Sequence, residues 1–315
     1  MNPRLTIVYP AHVSSASLTL RSVLALRGQT ADPASFEVVI GADGGDPKGT
    51  FAAIATSAGR EDRPGQPVSC RVVSSPRPRG NVGHRNHARN AGWREARGVL
   101  CWMLDNDFIV LPHGVEHVLA EHDRLLSSGH PSVFTTCLAG IGDVGPADWL
   151  SRSEPWVASG EPGDLATLLG QHSVDWGIYS GFPERYSGGA EPASEVLAPE
   201  RLPEGMPILW RGLLEAMDGF DQETFGEWGA DKEEFMERLK GGAKAGLYEL
   251  RLLRSVMPLH QPHERDPGHR GGAARRRQQE NGRRKGLIAR MQPWWRGRLK
   301  RMQDAMPSVI ESARS

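Results

Sequence analysis

The sequence predicts an α/β fold built on one mostly parallel sheet flanked by helices, and three observations predict it. A strand (Leu5-Thr6-Ile7-Val8-Tyr9), a helical repeat (Ser14 to Gln29) and a second strand beginning at Phe36 follow in order, which implies a parallel pair with a right-handed crossover. The run Val99-Leu100-Cys101-Trp102-Met103-Leu104 is apolar throughout, as a strand buried on both faces is. That run stops at Asp105-Asn106-Asp107. Carboxylates belong just past the carboxyl ends of such strands, where open α/β sheets place their ligand crevice. If the extended geometry persists, both aspartates project to one side, where two hard oxygens suit Mg2+ or Mn2+ carrying a phosphate.

In chain order, Pro10 closes the first strand, and Ser15 or Ser17 is placed to cap the helix after it. The strand from Phe36 runs through Gly41 and Ala42 into Asp43-Gly44-Gly45-Asp46. Asp43 therefore shares the sheet edge with the D-x-D, either as an acceptor for a base or ribose or as a turn aspartate. Residues 59–69, rich in Pro, Gly and charge, read as a loop, and Arg71 to Ser75 as a third strand. A helix from Asn81 to Arg97, stopped by Gly98, carries His84, Arg85, Asn86, Arg89 and Asn90 in its first half. Cations there oppose the helix dipole, so their presence favours a bound diphosphate, with a solvated polar face as the other reading.

A helix from about His113 to Leu126 and a strand from Val133 to Cys137 come next. Residues 139–205 are expected to be long and irregular, with Trp149, Trp156, Trp176, Tyr179, Phe182 and Tyr186 forming either an acceptor platform or packing onto the body. Ile208 to Trp210 reads as a short strand, Gly212 to Met217 as a helical turn, and Gly219-Phe220-Asp221 as a turn. Asp231 opens a helix over Lys232 to Lys240, where the dipole keeps it ionised and where it also fits an N-cap. His260 and His263 are the candidate imidazole ligands for a carboxylate metal site.

Equal numbers of basic and acidic residues, 38 each, conceal a strongly basic last fifty or so residues. These include Arg275-Arg276-Arg277, Arg283-Arg284-Lys285 and Trp294-Trp295. Such a segment suits an anionic membrane surface, a strand of chain folded back over the body, or a solvated tail ending in an amphipathic helix. The body has no nucleic-acid module, so no nucleic-acid partner is expected. Three cysteines without metal spacing fit a reducing compartment. No apolar run approaches the roughly 20 residues that span a bilayer. A cytoplasmic protein is the expectation, with peripheral contact at the inner face of the membrane as one role open to the basic tail.

These pieces resemble the GT-A glycosyltransferases of family 2. Val38-Val39-Ile40-Gly41-Ala42-Asp43-Gly44-Gly45-Asp46 is similar to that family's acidic D-G-S-x-D turn, Ala88-Arg89-Asn90-Ala91-Gly92 with Ala96-Arg97-Gly98 to its a-R-N-x-G…A-x-G helix, and Met103 to Asp107 to its l-D-x-D motif. Gly219-Phe220-Asp221, Phe225, Trp228-Gly229-Ala230-Asp231, Glu234-Phe235 and Arg238-Leu239 resemble its acceptor segment. Ala230 departs from the usual first acid of E-D, and Met217-Asp218-Gly219 from the usual G-G.

The resemblance implies a Rossmann-like GT-A fold. Residues 1–138 would form the nucleotide-sugar half, 139–264 the acceptor and catalytic half, and 265–315 a basic tail. Pro10, Ala11, Asp43, Arg85, Arg89, Asn90 and Asp105 would contact the donor, while Trp210, Trp228 and Trp176 would face the acceptor. Asp107 would be the principal ligand of Mn2+ or Mg2+, Asp105 a further one, and His260, or alternatively His263, would complete the shell. Asp231 would be the general base of an inverting transfer from a nucleotide-diphosphate sugar, a UDP-sugar in the first instance. A retaining transferase on the same fold and a catalytically silent nucleotide-binding scaffold are the other readings.

Overall fold

The computed structural model describes residues 2–75, 85–129, 131–176, 183–202, 206–222, 232–264 and 292–314. Its elements begin with β1 (Leu5–His12), α1 (Ala16–Ala25), β2 (Phe36–Asp43), α2 (Thr50–Ala58), β3 (Cys70–Ser75), α3 (Arg85–Arg94) and β4 (Leu100–Met103). There follow β5 (Phe108–Ile109), α4 (Gly114–Ser127), β6 (Ser132–Thr136), β7 (Ala139–Ile141), α5 (Pro146–Ser159), α6 (Pro162–Gly170) and β8 (Val174–Asp175). The chain continues with β9 (Ser194–Val196), β10 (Ile208–Trp210), α7 (Arg211–Met217), α8 (Glu233–Lys244), β11 (Glu249–Leu253), β12 (Leu259–His260) and α9 (Gln292–Arg314).

The main sheet has eight strands in the order β3-β2-β1-β4-β10-β6-β11-β9. Strands β1 to β4 pair in parallel, as do β6 and β11, while β10 runs antiparallel between β4 and β6. Strands β5, β12, β7 and β8 form a second, small sheet. The predicted mostly parallel sheet is therefore present, and strands from both halves of the chain build it.

Nearly every residue of β1, β2 and β4 is buried, because helices cover the sheet. Helix α3 lies close enough that small residues are required. A Cβ on Gly41 would stand 2.1 Å from the Ala88 carbonyl oxygen, and one on Gly92 2.4 Å from Val8 Cγ1. This contact fixes the helix that carries Arg89 over the strands that carry Asp43 and Asp105.

Several expectations change. Strand β1 continues through Pro10 to His12 rather than ending at the proline. The carbonyls of Arg4 and Val8 accept from Leu100 and Leu104, so strand alternation turns Pro10 toward β4 as well. There β4 has already ended, and the missing N–H removes no ladder bond. Ser15 occupies the N-cap position of α1 without capping it; its hydroxyl donates to the His12 carbonyl at 2.8 Å. The stretch 139–205 is not irregular but holds α5, α6 and three short strands. Trp149 and Trp156 there are 0 % and 2 % exposed, packed as core rather than as an acceptor platform. Helix α2 and strand β11 were not anticipated from the sequence.

Helix α9 docks on the body through Met302, Met306 and Val309, all buried at helical spacing. Gly212 of α7 makes room for it, since a Cβ there would lie 2.7 Å from Val309 Cγ2. Among the described residues no helix is long and apolar enough to cross a membrane.

Candidate active site

The chain turns at Asn106-Asp107 immediately beyond β4, so the extended geometry that would align the two carboxylates does not persist. The middle residue is the anchor. Asn106 is buried, and its amide donates to Ser15 Oγ at 2.8 Å and Thr19 Oγ1 at 2.7 Å. Its carbonyl accepts from Ser22 Oγ at 3.0 Å. Three bonds to the α1 region thus fix the turn and leave its two aspartates to separate partners.

Asp105 is held by two cations. Arg89 Nη2 donates to Oδ1 at 3.2 Å, and the Lys232 ammonium pairs with Oδ2. The Arg89 side chain is only 2 % exposed and is itself fixed by Asn86 Oδ1 at 2.9 Å, with its guanidinium 5.5 Å from the Phe220 ring centroid. Burial alone would raise the Asp105 pKa; Lys232 and Arg89, with a smaller push from Arg85, outweigh it and hold the carboxyl at about 2.

Asp107 meets two imidazoles instead. Its Oδ2 lies 3.5 Å from His260 Nε2 and 3.2 Å from His263 Nε2, and its backbone carbonyl accepts from Gln261 N at 2.9 Å. Burial would again raise the pKa, but hydrogen bonds from His260 and His263 hold the carboxylate far below its usual range. The same hydrogen bond to Asp107 pushes His263 up. Asp107 Oδ1 is buried without a hydrogen-bond partner among the described residues.

One carboxylate oxygen and two imidazole nitrogens, all within 4.8 Å of one another, can hold one metal ion. That donor set fits Mn2+, which accepts both oxygen and nitrogen. The unpartnered Oδ1 is a further lone-pair site in the same place. Both histidines converge on Asp107, where the sequence left a choice of one.

The turn after α7 is stapled to α3. Gly219 has φ +58°, and a Cβ there would lie 2.4 Å from Asn90 Oδ1. Asn90 donates to the Phe220 carbonyl at 2.7 Å and accepts from Phe220 N at 2.9 Å and Trp93 Nε1 at 2.8 Å. Arg238 binds the carbonyls of Met217 and Gly219 at 2.6 and 2.7 Å, and is paired with buried Glu234. Asp218 also has positive φ, +59°. Aspartate is among the few side chains that tolerate this region, so the residue that departs from G-G still adopts a φ open to glycine.

Residues 6–168, just over half of the chain, match the sequence profile described as Glycosyl transferase family 2. The chain belongs to this family. None of the curated proteins matches the sequence significantly. Among solved structures, the mannosyltransferase PcManGT from Pyrobaculum calidifontis, in complex with GDP-Man and Mn2+, superposes with a TM-score of 0.51 at 18 % identity, over 99 % of this chain and 73 % of that one. S. aureus TarS 1-349 in complex with UDP-GlcNAc gives 0.51 at 15 % identity, over 85 % of this chain and 61 % of that one. Against the longer TarS crystal structure the TM-score is 0.51 at 14 % identity, covering 82 % of this chain. The family 2 chain spans 36 % of that longer TarS structure. The likeness shows a shared GT-A fold.

The family 2 fold places the remaining residues unevenly. Pro10 and Ala11 stand opposite Gly41 and Ala42 in the register, and Asp43 opposite His12 and Ser75, all at the carboxyl ends of the parallel strands. Arg85 opens α3 and acts electrostatically on both Asp105 and His263. Asn90 is not at the donor surface: it is 1 % exposed and both ends of its amide hold the Phe220 turn and Trp93. Trp176 is half-buried beside Tyr186, directly after β8, whose small sheet also carries His260. Trp210 is corrected as an acceptor residue. Because β10 is antiparallel, its last residue pairs with Leu100 at the start of β4, the opposite edge from Asp105, and is 1 % exposed. Asp231 and Trp228 lie outside the described residues. Lys232 is the site residue the sequence reading passed over. Its signal was the one used for α3, a cation at the start of a helix where the dipole disfavours it.

Proposed function

We propose that this family 2 protein is a metal-dependent, inverting glycosyltransferase that moves a sugar from a nucleotide-diphosphate sugar, in the first instance a UDP-sugar, to an acceptor nucleophile. The observation that carries the reading is the convergence of Asp107, His260 and His263 beside a cation-held Asp105, at the carboxyl edge of the sheet. The solved proteins of this fold, in complexes with UDP-GlcNAc or with GDP-Man and Mn2+, support a donor of that class. Mn2+ or Mg2+, held by Asp107, His260 and His263, would supply Lewis-acid charge neutralisation to the leaving diphosphate.

The chain's own residues do the rest. Asp43, beside Pro10 and Ala11 across the strand ends, faces the nucleoside portion as a hydrogen-bond acceptor. Arg85, at the start of α3, makes the wall next to the phosphates positive, which favours charge developing on the leaving group, while buried Arg89 holds Asp105 behind it. Asp231 takes the proton of the attacking acceptor group while the diphosphate departs from the opposite face of the sugar. A carboxylate of ordinary or lowered pKa suffices, because the proton moves as the new bond forms. Trp176, directly after β8, and Trp228 are the aromatic surfaces offered to the acceptor.

Asp231→Asn tests the reading: transfer falls at least 100-fold while UDP affinity stays within about threefold. A large loss of UDP affinity in that variant would remove Asp231 from the base role. The anomeric configuration of the product, read by NMR, tests inversion.

A further inference from the structure

Asp105 is shared by two cations that differ in their freedom to move. Arg89 approaches it from the protein side, with its guanidinium buried and fixed by Asn86, and supplies one full charge. The Lys232 ammonium adds a second charge to the same carboxylate from a more open position, its side chain 22 % exposed against 2 % for Arg89. Among the described residues Asp105 is the one acidic partner of Lys232. An ammonium has three donors on a flexible stem, and the pair with Asp105 uses one of them.

The position is also poor for the helix. Lys232 is the residue that precedes α8, where the helix dipole repels a cation and where its side chain makes no capping hydrogen bond. Its ammonium stands instead beside the carboxylate turn that ends in the metal-ligand trio.

We infer that Lys232 is a diphosphate-binding residue, parked on Asp105 when the donor is absent and contacting a phosphate oxygen when it is bound. The inference rests on the donor reading given above and adds a protein-borne cation to it. Diphosphate is the ligand class because it presents several anionic oxygens to neighbouring cations at once. A neutral sugar or base would give an ammonium leaving Asp105 no charge to neutralise in exchange.

The test compares Lys232→Met and Lys232→Arg with the wild type, using UDP and uridine as probes by calorimetry with Mn2+, and again with EDTA. The expected result is a loss of UDP affinity of tenfold or more in Lys232→Met, with uridine affinity within twofold of wild type. Lys232→Arg should retain UDP affinity within about threefold. The UDP loss should persist in EDTA, which separates Lys232 from the metal ligands. Equal losses for UDP and uridine would overturn the inference and make Lys232 a positioning residue acting through Asp105. Unchanged UDP affinity in a Lys232→Met protein with wild-type melting temperature would overturn it outright. A wild-type protein that binds neither UDP nor GDP would overturn the donor reading itself, before any variant is compared.

Discussion

Asp105 and Asp107 are the same residue type, one position apart across Asn106, and they are built into opposite electrostatic situations. Asp105 is already neutralised by Arg89 and Lys232, both part of the protein. Asp107 faces two imidazoles and keeps one buried oxygen without a partner among the described residues. The first is a structural charge whose cations are supplied in cis. The second offers a ligand set that an ion from outside would complete. A D-x-D motif of this kind is therefore two devices, divided by an asparagine that ties the turn to α1.

Matched substitutions break or sharpen this contrast. Asp105→Asn leaves the buried Arg89 guanidinium short of its carboxylate and should cost about 3 kcal/mol of stability without any metal present. Asp107→Asn removes the acceptor of His260 and His263 and should cost less, about 1–2 kcal/mol, because an imidazole can lose its proton where the Arg89 guanidinium cannot. Chemical denaturation of both variants in EDTA measures the difference, and equal costs would erase the distinction.

Asn90→Ala tests the support under the site. It leaves the Phe220 N–H and carbonyl unpaired inside the protein and should cost about 2 kcal/mol. UDP affinity measured well below the melting temperature should stay close to wild type, because Asn90 faces the turn and not the donor.

The smallest effect concerns acid. Asp105 stays ionised down to about pH 2 and Asp107 lower still, so neither carboxylate makes the fold labile in mild acid. His122, packed edge-on against Trp210 and pushed down to about 4 by burial, does. Its neutral form contributes stability above about pH 6.5, the unfolded value, and that contribution is lost as pH falls toward 4. His122→Phe should flatten the slope of stability against pH between those values, as read by thermal melts.

Legibility followed the length of the apolar signal. The strands ending at Asp43 and Asp105 are contiguous and β-rich, so both the sheet and its functional edge could be read directly. Strand β11 alternates charge with leucine, as in Glu249-Leu250-Arg251-Leu252, and so short a pattern was lost between a helix and a loop. Helix α5 hides behind Pro146 and Pro155, although Trp149, Ser153 and Trp156 mark its buried face at helical spacing. Trp210 misled because strand direction is a property of the whole sheet: an antiparallel β10 sends its last residue to the far edge. Asn90 looked like a ligand because it neighbours Arg89, but one helical position turns it toward the 218–221 turn. His260 and His263 were legible as a pair, yet their meeting with Asp107 depends on β12 pairing with β5, a contact between residues about 150 positions apart.

The central claim is that Asp107, His260 and His263 hold the metal through which the nucleotide is bound. Calorimetric titration of UDP into the wild type and Asp107→Ala, each with Mn2+ and with EDTA, tests it most directly. The account predicts Mn2+-dependent binding by the wild type, at least tenfold weaker in EDTA, and no Mn2+ effect in Asp107→Ala at an unchanged circular-dichroism spectrum. UDP affinity in the wild type that is indifferent to Mn2+, or a full Mn2+ response in Asp107→Ala, would contradict it.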